Sequence, residues 1–333
     1  MTVWERLEDN KMKMTSMVCG ALLLLAGNVA AQEGDKTVPK LTVVLATATQ
    51  GGGFPLYGNA FAEVMMQADP TLVVETRNTM GSSENIPSLE ANKFDLGLVA
   101  GESFNQAREG FGGKPPIKLK ILTAIYGTAG MFAVRADSKY HTIQDLVGKP
   151  IAFGAKGSGI PILSRYMLDG IGLKQDEDFK AFLLDHAKEG PEMVLDGRAE
   201  AIWGAGIGYP GFMELAKSAP GVRFIAPTAE EIARMTAKHP FLKPMTIPAG
   251  SYPTQTTDIK SLGSWSFILT KTDMPDDVAY RLARTLHGAE GAFCKRLAQA
   301  CETTAVNTVA AVPDIALIHP GVMKYFREIG VVK

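Results

Sequence analysis

The feature that most constrains the fold is a strand, a glycine-rich turn and a helix start within residues 41–62. Residues 41–45 form an apolar, β-branched run of strand length. Residues 50–53 form a glycine-rich turn, and Pro55 follows where a helix can begin without needing its N–H. Glycine N–H groups can approach a ligand closely, and a helix N-terminus carries partial positive charge. This pattern is therefore typical of an anion-binding site.

The same pattern occurs again about 105 residues later in the chain. Residues 50–56 align with residues 156–162, and residues 93–95 align with residues 198–200 at nearly the same offset. Internal similarity of this kind predicts two similar α/β units, each with a glycine loop at a helix start. The alternative is two unrelated strand–helix turns, because such turns are commonly rich in glycine.

Length, composition and the N-terminus narrow the class of protein. A chain of 333 residues with 46% hydrophobic and 21% charged residues favours a globular protein of two domains, and a net charge of −1 gives no general attraction to nucleic acid. Residues 1–31 have the pattern of a signal peptide: Lys11 and Lys13 precede a short apolar run and a small-residue cleavage site. We expect cleavage near Ala31 and a periplasmic mature protein that does not span the membrane. A retained membrane anchor is the alternative.

Two cysteines, Cys294 and Cys301, remain in the predicted mature chain. In one continuous helix they would lie about 10 Å apart, which is beyond the reach of a disulfide. If the helix ends near Ala300 and the chain turns back, the oxidising periplasm allows them to pair. The sequence leaves both arrangements open. Without nearby histidines, the two cysteines do not indicate a zinc site.

Strand-like and helix-like segments alternate along the mature chain, which predicts an α/β fold of two similar domains with a ligand cleft between them. Domain 1 is predicted to comprise residues 41–128 and 262–333, and domain 2 residues 129–261. Strands at 131–134 and 264–269 are predicted to cross between the domains. Three smaller expectations are a strand break at 127–130, one helix over 275–297 and a loop over 303–313.

In an open α/β sheet, ligands bind outside the carboxyl ends of the strands. Segments 47–57, 79–85, 100–103, 155–160 and 203–209 are expected to reach that edge. Two helix N-termini there favour an anionic ligand, and Lys156 either adds a full positive charge or is a solvated loop residue. The candidate ligand-binding residues are Thr49, Gln50, Gly51, Gly52, Gly53, Phe54, Tyr57, Thr79, Gly81, Ser82, Ser83, Asn85, Gly101, Lys156, Gly157, Ser158, Gly159, Trp203 and Gly206.

Aromatic residues in these segments have two interpretations. They either shape an apolar part of the pocket or pack in the protein core, and Trp203 is favoured for the cleft because glycine and alanine follow it. The set comprises Phe54, Tyr57, Tyr126, Trp203 and Tyr209.

Motifs of the common enzyme classes are missing. Gly157-Ser158-Gly159 is not a nucleophile elbow, because Lys156 stands where that motif needs its first glycine. No histidine pair has metal-ligand spacing, and His186, His287 and His319 are interpreted as surface residues. We therefore predict no catalytic residues, no metal site and no cofactor.

Seven segments, taken in order, resemble the landmarks of a known family, the TAXI-type solute receptors of tripartite ATP-independent periplasmic (TRAP) transporters. The first loop and its helix start, Thr79-Met80-Gly81-Ser82-Ser83-Glu84-Asn85 and Val134-Arg135-Ala136-Asp137-Ser138 are three of them. The others lie at 154–159, 238–241, 247–253 and 319–330. The resemblance implies a periplasmic binding protein, type II-like, that closes on a small organic acid and docks to membrane subunits.

One departure from that family bears on the ligand. The usual threonine and tyrosine after the first glycines are replaced by Gly53, Phe54 and Pro55, which removes two hydroxyls. We therefore expect a different, less polar carboxylate, bound by a monomeric receptor that delivers it to a TRAP permease. Alternatives are a solute-binding protein of an ABC-type importer, a ligand sensor for a membrane kinase, or a periplasmic enzyme, which turnover of a bound acid would reveal.

Overall fold

The structure, a computed structural model, describes residues 40–333, so the predicted signal peptide lies outside the described residues. The strands are β1 Leu41–Ala46, β2 Leu72–Arg77, β3 Leu96–Val99, β4 Leu119–Arg135, β5 Pro150–Ala155, β6 Lys180–Leu184, β7 Ala201–Ala205, β8 Val222–Ile225, β9 Lys243–Ile247 and β10 Ile259–Lys271. The helices are α1 Gly53–Ala68, α2 Ser82–Glu90, α3 Gly101–Glu109, α4 Ile160–Gly170, α5 Gln175–Asp178, α6 Glu189–Leu195, α7 Pro210–Lys217, α8 Ala229–Lys238, α9 Asp276–Gly288, α10 Glu290–Arg296, α11 Ala305–Ala311 and α12 Pro320–Glu328.

The ten strands form one mixed sheet in the order β2-β1-β3-β10-β4-β7-β5-β6, with β8 beside β4 and β9 beside β10. β1 lies between β2 and β3 and runs parallel to both. β5 has the same relation to β6 and β7. The first unit (residues 41–109) and the second unit (residues 150–217) therefore share a strand order, as the internal similarity predicted. The α/β class is confirmed.

Two long antiparallel strands, β4 and β10, connect the two groups of parallel strands. β4 pairs with β10 from Leu119 to Ala129 and with β7 and β8 beyond it. The predicted break at 127–130 is wrong, because β4 runs without interruption. Its glycines instead make room for neighbours: a Cβ on Gly130 would lie 2.7 Å from Met167 Sδ and from the Trp203 ring. Glycine inside a strand commonly marks such close packing.

Apolar side chains bury each group of strands separately. Phe61 of α1, Leu282 of α9 and Phe326 of α12 belong to the cluster over β1–β3. Phe132 and Phe153 belong to another cluster beside β5 and β7. Both groups lie within one compact unit, residues 39–333, and the division into two domains stays a prediction.

The C-terminal region differs from the sequence-based expectations. The predicted helix over 275–297 is two helices, α9 and α10, and the chain then turns at Leu297. This turn brings Cys294 and Cys301 together in a disulfide, which decides between the two arrangements that the sequence left open. The predicted loop over 303–313 is also wrong, because it contains α11. The Thr304 side chain caps that helix by accepting the Asn307 N–H at 3.0 Å.

Two of the three histidines interpreted as surface residues are buried. His287 and His319 have side chains that are each 1% exposed, whereas His186 is exposed as expected. His287 Nδ1 lies 2.7 Å from Glu290 Oε1, and His319 Nδ1 accepts the Gly321 N–H at 3.2 Å. Both therefore serve helix packing near the C-terminus. Within residues 40–333, no helix has the length and apolar character needed to cross a bilayer.

Candidate functional site

A cavity of about 60 Å³ lies between the first and second units, at the carboxyl ends of β1, β3, β5 and β7. Four of the five segments predicted to reach this edge line it. The crossing strands β4 and β10 contribute Tyr126, Thr128 and Ser266, and Gln299 closes one side. A buried water needs roughly 10–15 Å³ of such volume. The cavity is therefore the size of a small organic molecule of a few heavy atoms.

Six of the residues predicted to bind ligand line the cavity, three of them glycines. They are Thr49, Gly52, Gly53, Phe54, Ser158 and Gly159. Gly53 and Phe54 form the first residues of α1, and Gly159 is the residue before the first turn of α4. The first N–H groups of a helix have no partner inside the helix. The two helix starts thus present N–H donors and partial positive charge at one cavity.

A second group of predicted residues fixes the shape of the first loop instead of facing the cavity. Asn85 Nδ2 donates hydrogen bonds of 2.8 Å to the carbonyls of Thr47, which follows β1, and of Leu98, the residue before the last one of β3. Thr79 Oγ1 lies 2.8 Å from Asn85 Oδ1, and Ser82 Oγ accepts the Ala100 N–H at 3.0 Å. These contacts tie segment 79–85 to the strand ends that carry the site.

A third group brings the two units into contact. The Ser83 N–H donates to the Gly157 carbonyl at 3.1 Å. A Cβ on Gly157 would lie 2.5 Å from the Met80 carbonyl oxygen, and a Cβ on Gly51 would lie 2.6 Å from Lys188 Cβ. Gly81 has φ of 109°, which favours glycine, and it faces Gly157. Glycines of both loops therefore allow one backbone to approach the other.

Gly101 and Gly206 also occupy close-packed positions. A Cβ on Gly101 would lie 2.3 Å from the Trp265 carbonyl oxygen. Gly206 has φ of 83°, and its carbonyl accepts the Tyr252 hydroxyl. Both residues stand at strand ends beside the cavity without lining it.

Four predicted residues lie away from the cavity. Tyr57 is fully buried and its hydroxyl lies 2.9 Å from Thr303 Oγ1, while Trp203 is 1% exposed and donates to the Ile160 carbonyl at 3.0 Å. Gln50 is exposed. Lys156 Nζ lies 2.8 Å from Asp185, and its side chain is 54% exposed. Their predicted contact with a ligand stays a prediction.

Sequence reasoning missed the acid that lines the cavity. Glu102, in the first turn of α3, is completely buried, and its Oε2 accepts a 2.5 Å hydrogen bond from Ser264 Oγ. Its Oε1 has no hydrogen-bond partner among residues 40–333. Burial raises the pKa of Glu102 to about 7, against the lowering effects of the Ser264 hydrogen bond and of the backbone N–H of Glu102 itself. The available signal was its position three residues after the end of the buried strand β3.

Two tyrosine hydroxyls complete the polar lining. A Cβ on Gly53 would lie 3.0 Å from the Tyr126 hydroxyl, so that group stands directly beside the first loop. Burial raises the pKa of Tyr126 well above its ordinary value and that of Tyr209 to about 12. Both are neutral hydrogen-bond donors at pH 7. No lysine, arginine or histidine is among the described residues that line the cavity.

Comparisons with known proteins agree on the architecture. The sequence profile of the NMT1-like family matches residues 45–330. A solved structure described as a periplasmic transporter is 15% identical, with a TM-score of 0.56 over 79% of this chain and 88% of that one. A protein from Bordetella bronchiseptica RB50 is 14% identical, with a TM-score of 0.53 over 87% of this chain and 98% of that one. These similarities confirm the predicted fold class, the α/β fold of the periplasmic binding proteins.

Proposed function

The chain belongs to the NMT1-like family and has the α/β fold of the periplasmic binding proteins, and we propose that it is an extracytoplasmic receptor for a small organic anion. The observation that carries this proposal is the cavity enclosed between two glycine loops, each at the start of a helix. A binding role needs an enclosed, mostly apolar pocket with a few polar groups, and this cavity has that character.

Closure of two domains around the ligand is part of the proposal. Domain 1 would comprise residues 41–128 and 262–333, and domain 2 residues 129–261, so that the cavity lies between them. The close contacts of Gly51, Gly157 and Gly159 with the opposite unit support a closed arrangement, because none of these positions has room for a side chain. Opening would separate these contacts and expose the cavity.

The helix starts support an anionic ligand. The N-terminal ends of α1 and α4 meet at the cavity, and each carries roughly half a positive charge. Phe54 and Ile160 supply an apolar surface in place of further hydroxyls. A small carboxylate with a short apolar part fits this combination better than a polyhydroxylated compound.

The transport partner follows from the sequence landmarks. The ordered segments from residue 46 to residue 330 resemble TAXI-type receptors, and we assign the protein to a TRAP transporter whose membrane permease receives the ligand. In this role the protein is exported with cleavage near Ala31, binds ligand as a monomer and performs no catalysis. Neighbouring genes for a large permease would support this partner, and genes for an ATPase subunit would contradict it.

A thermal-shift screen tests the binding role directly. The purified protein is heated with acetate, propionate, lactate, pyruvate, succinate and a set of neutral and cationic compounds. A ligand at about 100 times its dissociation constant adds about 2.7 kcal/mol to the free energy of unfolding. For a chain of this size that is a rise in Tm of about 5–10 °C. We expect this rise with a carboxylate, and a rise with cationic compounds alone would contradict the proposal.

Ser158→Leu is the matched test of the cavity itself. Ser158 lines the cavity, and its hydroxyl donates to the Ala155 carbonyl at 2.8 Å. A leucine side chain there would fill a space of about 60 Å³. We expect the variant to melt as a folded protein and to lose the ligand-induced rise in Tm. Normal binding by this variant would show that the ligand binds elsewhere.

A further inference from the structure

Glu102 lines the cavity, and one of its two carboxyl oxygens has no hydrogen-bond partner among the described residues. Its carboxyl group is completely buried, and Oε2 is occupied by the Ser264 hydroxyl at 2.5 Å. Oε1 has no hydrogen-bond partner among the described residues, and it faces Gly159: a Cβ at that residue would lie 2.3 Å from Oε1. A buried polar atom without a partner is unusual in a native protein and needs an explanation.

Among residues 40–333, no charged side chain is positioned to neutralise Glu102. The elements that pack against α3 are α2, α4 and β10. On α4, Arg165 pairs with Asp176 and Asp169 pairs with Lys238, all on the exposed side of the protein. The charged groups of α2 and β10 are Glu84, Glu90, Lys260 and Lys271, and none of them, nor any other charge, contributes to the pKa of Glu102. The charge of Glu102 is one of the causes that raise the pKa of Tyr166 on α4, after burial of the tyrosine.

Burial of Glu102 without a positively charged neighbour restricts how Glu102 and an anionic ligand can occupy the same cavity. Two negative charges in one desolvated site repel each other strongly, and a shared proton removes that repulsion. Since Oε2 already accepts a hydrogen bond, the proton belongs on Oε1, which lies against Gly159 at the wall of the cavity. We propose that Glu102 binds the ligand in its protonated form, donating a hydrogen bond from Oε1 to a ligand carboxylate, so that each anion is bound together with one proton.

This inference rests on the proposed anion-receptor function, and it makes ligand affinity depend on pH. Glu102 has a pKa of about 7, raised by burial, whereas burial holds the pKa values of Tyr126, Tyr166 and Tyr209 above their ordinary range. Between pH 6 and pH 8 the protonated fraction of Glu102 falls roughly tenfold. The apparent dissociation constant rises by the same factor, because only the protonated form is competent. Affinity is therefore expected to fall about tenfold between pH 6 and pH 8.

The test compares wild type, Glu102→Gln and Glu302→Gln by isothermal titration calorimetry with the carboxylate that gives the largest thermal shift. Glutamine keeps the shape of protonated glutamate and retains a donor, so Glu102→Gln should bind with the same affinity at pH 6 and pH 8. Glu302 is the matched control, because burial also raises its pKa but it accepts the Gly127 N–H outside the cavity. Glu302→Gln should keep the wild-type pH dependence. Titrations at pH 8 in two buffers of different ionisation enthalpy should show about 0.9 proton taken up per ligand by wild type.

The outcomes separate this inference from the proposed function. A carboxylate that binds wild type equally at pH 6 and pH 8, without proton uptake, overturns the role of Glu102 and leaves the anion receptor standing. Equal proton uptake by wild type and Glu102→Gln places the proton on another group and also overturns it. Binding of methylamine or ethanolamine that tightens with rising pH contradicts both. Should Glu102→Gln fail to fold, the proton uptake of wild type and of Ser264→Ala decides the question. Ser264→Ala removes a hydrogen bond that lowers the pKa of Glu102, so its affinity should begin to fall at higher pH.

Discussion

The two glycine loops have similar sequences but different surroundings. In the first loop, a Cβ on Gly52 would meet the Thr49 carbonyl of the same loop at 3.3 Å, and the next nearest atoms lie at 3.8 Å. In the second loop, a Cβ on Gly159 would lie 2.3 Å from both Ala100 Cβ and Glu102 Oε1 of the first unit. Glycine thus serves two physical needs in these loops. Gly52 leaves space beside the cavity, whereas Gly159, like Gly51 and Gly157, allows the opposite unit to approach.

This difference predicts that Gly159→Ala has the largest effect on binding. Gly159 has φ of −69° and ψ of −22°, a conformation open to any residue, so alanine there causes no backbone strain. The added methyl group collides with the first unit and prevents the closed arrangement. We expect affinity for the carboxylate to fall at least about 100-fold, because the competent state becomes rare. Calorimetry measures the loss, and a thermal melt verifies that the variant is folded.

Two alanine variants serve as controls for this prediction. Gly52→Ala in the first loop should reduce affinity by less than about tenfold, because the new methyl group is crowded only by the Thr49 carbonyl at 3.3 Å and makes an ordinary 3.8 Å contact with Ala187 of the second unit. Gly288→Ala at the end of α9 adds a methyl group with nothing within 4 Å and should change nothing. A larger loss of affinity from Gly52→Ala than from Gly159→Ala would contradict the roles given to these two glycines.

The acid between the loops predicts a stability effect that needs no ligand. Burial raises the pKa of Glu102 from 4.5 to about 7 in the folded protein. The unfolded chain therefore releases a proton between these values that the folded protein retains, and stability is lost as pH rises from about 4.5 to 7. Glu102→Gln lacks this group. We compare the free energy of unfolding of Glu102→Gln with that of wild type. This difference should be larger at pH 8 than at pH 4, in favour of Glu102→Gln, by up to about 3 kcal/mol. Urea unfolding at both pH values measures the difference, and parallel curves for the two proteins would contradict it.

Tyrosine hydroxyls beside the first loop predict a smaller effect. Tyr126→Phe removes a neutral donor next to Gly53, and a hydrogen bond of this kind contributes about 0.5–1.5 kcal/mol. Affinity should therefore fall about 2–10-fold while Tm changes little. Tyr57→Phe is the matched control, because its hydroxyl contacts Thr303 in the core and does not line the cavity. That variant should lose stability and keep its affinity. A loss of affinity without a loss of stability would indicate that Tyr57 belongs to the binding site.

How much of this site is readable from sequence depends on the kind of feature. The strand ends and the glycine loops are local patterns, and four of the five segments predicted from them line the cavity. Which aromatic residues face the cavity depends on how α1 and β7 pack, so Tyr57 and Trp203 could not be told apart from Tyr126 and Tyr209. Glu102 was missed for a similar reason. An acid in the first turn of a helix usually faces solvent, and only the packing of α3 against α4 and β10 buries this one.

Prediction of the fold from the sequence is limited in the same way. The similarity of the two units followed from an internal repeat, which needs no knowledge of packing. The seven-residue helix α11 and the break between α9 and α10 at Ala289 were missed, since segments this short carry little periodicity. The continuity of β4 was not predicted, because glycines in a sequence commonly indicate a turn. In the structure the glycines of β4 instead allow close contact with neighbouring side chains.

Substitution of Lys156 is expected to have the smallest effect on carboxylate affinity. It also tests whether the second loop contributes positive charge to the ligand site. The ammonium group of Lys156 lies 2.8 Å from Asp185, both side chains are more than half exposed, and the lysine does not line the cavity. Exposed ion pairs contribute little to stability, and salt screens their long-range attraction. Lys156→Ala should therefore change carboxylate affinity less than about twofold at physiological ionic strength. A tenfold loss that disappears at high salt would mean that the lysine reaches the ligand when the two units move, and the second loop would then supply charge as well as closure.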